Sequence, residues 1–242
     1  MPPVCWHGSD AHPCRSDDEV TMDTEPQRLR GFEKSRFEAL IDGIFAVALT
    51  LLVLDIKLPE NIAYPTDDAL WLRLISLERH FLIYAISFAV IAMYWIGHHI
   101  QFHFVRYTDR PLIWINLLYM LLISFLPFAT DLIGDNQDLV LPCEIYGLAL
   151  LSINGMSYLS LDYLSRHTYL ASPELNPTVV RLIKTRIGVL SLVPLASMLV
   201  AFYSTHASIY VYPPLALSHF FRGRIDEHIH TTAAITAGLN EK

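Results

Sequence analysis

The chain has 242 residues, of which 53% are hydrophobic and 17% charged, with a formal net charge of −7. The apolar share exceeds that of soluble domains and is gathered into blocks, which excludes an ordinary soluble protein and points to an integral membrane protein. No basic stripe, phosphate-binding loop, dinucleotide-binding glycine motif or low-complexity run is present, so nucleic-acid partners and nucleotide chemistry find no support.

Residues 1–30 are polar, hold Asp17-Asp18-Glu19 and lack the apolar core of a signal peptide, so they read as a disordered cytoplasmic tail. Residues 31–222 read as the transmembrane domain and residues 223–242 as a second cytoplasmic tail. The first span follows Arg36, and residues 37–56 are apolar enough to cross a bilayer, which takes about 20 residues at about 1.5 Å each. Asp42 lies inside it. A carboxylate there costs roughly 2.5–3.5 kcal/mol on insertion scales, so it should face protein or water. At about 100° per residue, Val47, Leu51 and Leu54 form one stripe edged by Thr50 and Gly43, with Asp42 roughly 130° from its centre. The stripe and the acid therefore have different neighbours, one of which could be an axis of symmetry. Leu and Val at this spacing also suit plain helix packing or lipid contact, and an intramembrane acid also suits a structural ion pair. Ala39, Gly43, Ala46 and Ala48 let other backbones approach closely.

Residues 59–79 have room for an outside helix with Asp67-Asp68 at its start. The second span, residues 80–104, ends with Trp95, His98, His99 and His103; the third, residues 110–133, opens at Asp109-Arg110-Pro111 and continues through Trp114 and Asn116. This turn falls on the same side as Asp42, where an imidazole or an amide could clasp the acid. His99 and His103 are spaced i, i+4 like metal ligands. One such pair is too few for a di-iron centre, and His228 and His230 lie in the polar tail, so no metal is expected. Residues 141–164 and 187–202 form two further spans. Residues 207–221 are short and carry Pro213-Pro214, giving about six spans with five as the alternative.

With six spans and a cytoplasmic start, Arg15, Arg28, Arg30, Lys34, Arg36, Arg106, Arg110, Arg166, Arg181, Lys184, Arg186, Arg222, Arg224 and Lys242 lie inside. Only Lys57, Arg73 and Arg79 of the 17 basic residues lie outside. That asymmetry orients the chain with both termini cytoplasmic. Cys5 and Cys14 fall in the reducing tail and Cys143 stands apart, so no disulfide framework is expected.

The first helix, Trp95 with His98-His99, and Asn116 through Leu126-Pro127-Phe128 resemble the bacterial members of the endolysosomal potassium-channel family, transmembrane protein 175. The match is good over residues 36–132 and looser beyond. The family signature is an Arg, three residues, then Phe-Ser-Asp; this chain keeps Arg36 and Asp42 but has Leu40-Ile41 in place of Phe-Ser. The resemblance implies an all-α integral membrane protein of the cell membrane, assembled as a homotetramer with the first helix lining a central pore for monovalent cations. It places the pore constriction at Val47, Leu51 and Leu54, a selectivity hydroxyl at Thr50, and an interhelical polar network at Arg36, Asp42, Trp95, His98, His99 and Asn116. No enzyme activity and no cofactor beyond the permeant potassium ion are implied. Rival readings are a proton-coupled secondary transporter using Asp42 and His99, a metal-dependent membrane enzyme, and a non-conducting scaffold. A carrier of this kind often carries internal repeats, and no convincing repeat joins the two halves here.

Overall fold

The computed structural model describes residues 34–58 and 65–213. The two predicted tails, Cys5, Cys14, His228, His230 and all of the sixth block from residue 214 onward lie outside the described residues. Within them the secondary structure is helical: α1 (Lys34–Leu51, continued by a 3-10 turn over Leu52–Asp55), α2 (Asp67–Ser76), α3 (Glu78–His103), α4 (Arg110–Asp135), α5 (Val140–Arg166), α6 (Pro177–Ala201) and α7 (Thr205–Ile209). Five of these are long and apolar enough to cross a membrane: α1 with its 3-10 turn, α3, α4, α5 and α6. The chain is a multi-pass, all-helical membrane protein. The described part of the doubtful sixth block is the short α7 and the turn after it, whose Ser208, Ile209 and Tyr212 are buried.

Side-chain caps set several helix starts. Asp109 accepts from the Leu112 amide at 3.0 Å, and Asn176 accepts from the Val179 amide at 2.9 Å. Each is followed by a proline in the first turn, where a missing N–H costs nothing. For α2 the cap is Thr66, whose hydroxyl accepts from the Ala69 amide, while Asp67 and Asp68 occupy the first turn and oppose the helix dipole. α6 begins well before the apolar block at residue 187, because Arg181, Lys184 and Arg186 ride on the same helix. Pro127 and Pro194 sit inside α4 and α6, where neighbouring helices tolerate the freed carbonyls.

The core runs along α4, which packs on α1, α3 and α5; α6 packs on α5. Leu112, Ile123, Leu126, Ile153 and Leu161 are completely enclosed. α1 contributes Phe37, Ile41, Phe45, Ala48 and Leu52, one face at helical spacing. The turn after α3 is tied to the loop after α5 by the Arg106 amide donating to the Leu170 carbonyl and the Ser172 amide donating to the Phe104 carbonyl, both at 2.7 Å. These bonds fix the end of α3 that carries Trp95, His98 and His99.

Candidate functional site

With its buried face against α3 and α4, α1 leaves about half its circumference exposed. On one side of that open arc lie Leu40, Val47, Leu51 and Leu54, with Val47 56% and Leu54 60% exposed. Leu40, Val47 and Leu51 border an apolar groove of about 380 Å³ that Ser124 of α4 closes on the far side. The 3-10 turn matters here. Residues three apart eclipse in a 3-10 helix, so Leu54 lines up beneath Leu51 more closely than an α-helix would place it.

Thr50 lies on the same open arc and is exposed. Its hydroxyl donates back to the carbonyls of Ala46 at 3.0 Å and Val47 at 2.9 Å. The proton is thus held by the helix backbone, and the oxygen turns its remaining lone-pair capacity outward. An outward oxygen acceptor suits a cation.

The polar residues separate into two arrangements. Asp42, on the other side of the open arc, accepts from the Trp95 indole N–H at 2.9 Å. Trp95 in turn lies beside His99, their ring centroids 6.0 Å apart. Inside the bundle, His98 Nε2 meets Asn116 Oδ1 at 3.0 Å, and the Asn116 amide donates to the Leu112 carbonyl at 2.8 Å and to Ser160 Oγ at 3.4 Å. With Oδ1 accepting, Nε2 carries the imidazole proton. His98 is walled by Phe102, Tyr119 and Phe45, with centroids at 5.3, 5.0 and 6.2 Å. Asp42 and the His98–Asn116 pair do not meet: Trp95 and His98 stand three residues apart on α3, one facing outward and one facing the core. Arg36 is exposed at the start of α1 and, among the described residues, forms no ion pair with Asp42.

Other polar seams were not singled out from the sequence. Gln101 and Ser157 clasp α3 to α5 reciprocally: the Gln101 amide donates to the Ser157 carbonyl at 3.0 Å, and the Ser157 hydroxyl donates to Gln101 Oε1 at 2.9 Å. The Ser87 and Tyr146 hydroxyls lie 3.2 Å apart, and Tyr119 donates to the Tyr94 carbonyl at 3.4 Å. The signal was available as lone polar residues inside apolar runs, although their partners were not.

Residues 36–127 match the family model of the endosomal/lysosomal potassium channel TMEM175. A potassium channel of Streptomyces collinus is 29% identical over 194 residues, covering 78% of this chain and 92% of that one. A potassium channel of Chamaesiphon minutus is 41% identical over 103 residues, covering 43% of this chain and 50% of that one. The crystal structure of a lysosomal potassium-selective channel TMEM175 homologue from Chamaesiphon minutus superposes with a TM-score of 0.66 at 29% identity, covering 78% of this chain and 97% of that one. Over residues 36–127 the chain is similar to the TMEM175 family. The TMEM175 match takes in the open arc of α1, the Trp95–His99 end of α3 and α4 as far as Pro127. At the two signature positions where the family resemblance calls for Phe-Ser, Leu40 borders the groove and Ile41 is 2% exposed in the core. Apolar packing therefore stands where a serine would supply a hydrogen bond.

Proposed function

We propose that the chain is one subunit of a potassium-preferring cation channel of the cell membrane, a homotetramer with α1 around the axis and both termini cytoplasmic. The observation that carries this is the open face of α1: apolar residues at 47, 51 and 54 beside a hydroxyl whose oxygen points outward. Four copies of Val47, Leu51 and Leu54 would narrow the axis to an apolar neck, which shuts by dewetting and conducts when it widens and hydrates. Four Thr50 oxygens would replace part of the ion's water shell close to that neck. The fold class and the names of the relatives support the choice of potassium. Asp42, bonded to Trp95, would fix the position of α1 against α3 from the side of the arc away from the stripe.

Self-association has a second support. On α4, Trp114, Leu118, Leu121, Phe125 and Phe128 are exposed at alternating steps of four and three. On α1, Leu40, Val47, Leu51 and Leu54 keep the same 3.5-residue period, which is the pattern of a helix seam. Ser124 of α4 lies in the groove, so the two stripes adjoin. A second copy supplies α1 and α4 surfaces of matching period; lipid requires no such regularity.

The test is potassium flux into liposomes carrying the purified protein, run beside sodium and beside Leu54→Ala. Potassium flux above sodium flux, rising in the variant, is the expected result. Absence of flux in both proteins would refute conduction and favour a scaffold; flux that needs a proton gradient would favour a carrier.

A further inference from the structure

We propose that the seam between α3 and α6 holds a cluster of ordered water inside each subunit, away from the open face of α1. The seam contains a cavity of about 50 Å³ bordered by Gly97, His98, Gln101, Tyr119, Asn154 and Ser157, with Arg186 and Ile187 of α6 closing it. Asn154 is 2% exposed, and no protein group accepts from its side-chain N–H₂. Tyr94 faces it with its proton directed to the Leu150 carbonyl at 3.5 Å, and its oxygen can take only one of the two amide N–H donors. A buried amide donor with no acceptor is costly at membrane depth, where no bulk water can satisfy it. A water needs about 10–15 Å³ and two to four polar neighbours, so this cavity has both the room and the chemistry for one or a few.

The geometry explains why the amide is there. α6 packs on α5 and α7, and between it and α3 the polar groups of His98, Gln101, Asn154 and Ser157 are set among Met93, Ile100, Ile183 and Leu190. Water accepting from Asn154 Nδ2 can donate to Asn154 Oδ1 or to a backbone carbonyl and complete the seam. A second, smaller cavity bordered by Met93, Tyr94, Pro194 and Tyr212 shares Met93, Tyr94 and Leu190 with the first and continues it along α6. His98 borders the first cavity and Asn116 does not, so the proposed water lies against the histidine of the His98–Asn116 pair. The ligand is water, and the site is built from α3, α4, α5 and α6 of one subunit.

X-ray hydroxyl-radical footprinting of the protein in lipid nanodiscs tests this, because radicals formed from bound water oxidise the side chains touching it. Tyr119 and Met93 border the cavity, while Met120, 2% exposed, serves as a buried control away from it. Tyr119 and Met93 should label well above Met120. Asn154→Leu should lose that excess, since the leucine neither needs nor holds a water. Gly97→Ala should lose much of it too, because a Cβ at Gly97 meets nothing within 4 Å and occupies cavity space without a clash. Labelling of Tyr119 and Met93 at the Met120 level in the unmodified protein would overturn the proposal. So would an excess that both variants leave unchanged.

Discussion

Thr50→Val separates the hydroxyl from everything else about that position. Valine is nearly isosteric with threonine and keeps the branched side chain on the open face of α1. What is lost is one oxygen per subunit, and in the structure that oxygen has its proton committed to the Ala46 and Val47 carbonyls. Toward the axis of the proposed assembly it can therefore act only as an acceptor, which is the role an ion requires. A hydrogen-bond-like contact to a charge is worth about 1.5–3 kcal/mol, but only the part that differs between potassium and sodium affects selectivity. If that part is on the order of 1 kcal/mol over the ring, the potassium-to-sodium permeability ratio falls about fivefold. Fold stability should hold, because an exposed back-bonded threonine contributes little to its helix. The assay is reversal potential in planar bilayers under bi-ionic conditions, with Thr50→Ser as the variant that retains the oxygen. An unchanged ratio in Thr50→Val, with the protein intact, would remove Thr50 from selectivity.

Leu54→Ala shortens the side chain that the 3-10 turn aligns beneath Leu51 and should raise single-channel conductance or open probability; a fall in both would place the neck elsewhere. Asn116→Leu leaves His98 Nε2 and Ser160 Oγ without their amide partner, costing about 1–3 kcal/mol, so the detergent-denaturation midpoint of the purified protein should drop. In a micelle, Asp42→Asn keeps an acceptor for the Trp95 indole while Asp42→Leu removes it, so cross-linked oligomer should survive the first better than the second. Equal loss in the two would assign the effect to charge rather than to the hydrogen bond. Gly147 faces Met198, and a Cβ there would lie 2.5 Å from the Met198 Cγ and 2.7 Å from its sulfur. Gly147→Val should destabilise the α5–α6 contact by about 1–3 kcal/mol, and adding Met198→Ala should restore most of it in a thermal melt.

The spans were legible because a bilayer demands long apolar helices whatever their neighbours. The open stripe was legible because helical geometry sorts residues on one helix without reference to another. Partners across helices were less legible. The sequence offered Asp42 several partners, Trp95, His98, His99 and Asn116, without choosing among them; the group that reaches it is the Trp95 indole, since His98 is turned about a sixth of the way round the helix and enters the core. Asn154, Ser157 and Ser160 are spaced three apart in one otherwise apolar run and Gln101 sits among histidines at the end of α3, and nothing in a single chain says which helix opposes them. The 3-10 turn at Leu52–Asp55 was equally hidden, because its residues are ordinary helix formers in composition. The short α7 shows the converse case: Pro213-Pro214 marked the block as irregular, and the described part of it is indeed a five-residue helix and a turn.

The placement of Asp42 bears on assembly more directly than the apolar stripe does. Exposed leucines on a membrane helix are at home in lipid, so only the period they share with the α4 stripe speaks for a neighbouring copy. A carboxylate on the open side of a spanning helix is different. Its Trp95 bond supplies one donor, while a carboxylate has room for several, and the rest must come from water or protein. Asp42 lies about two turns into α1, at the end where a water-lined vestibule or an adjoining subunit would begin. An isolated subunit would leave that carboxylate at the lipid boundary, at a cost below the roughly 2.5–3.5 kcal/mol of the bilayer centre, whereas the proposed assembly of four subunits would enclose it. The acid and the aliphatic stripe occupy opposite sides of one open arc, and an assembly that closes the arc meets the needs of both.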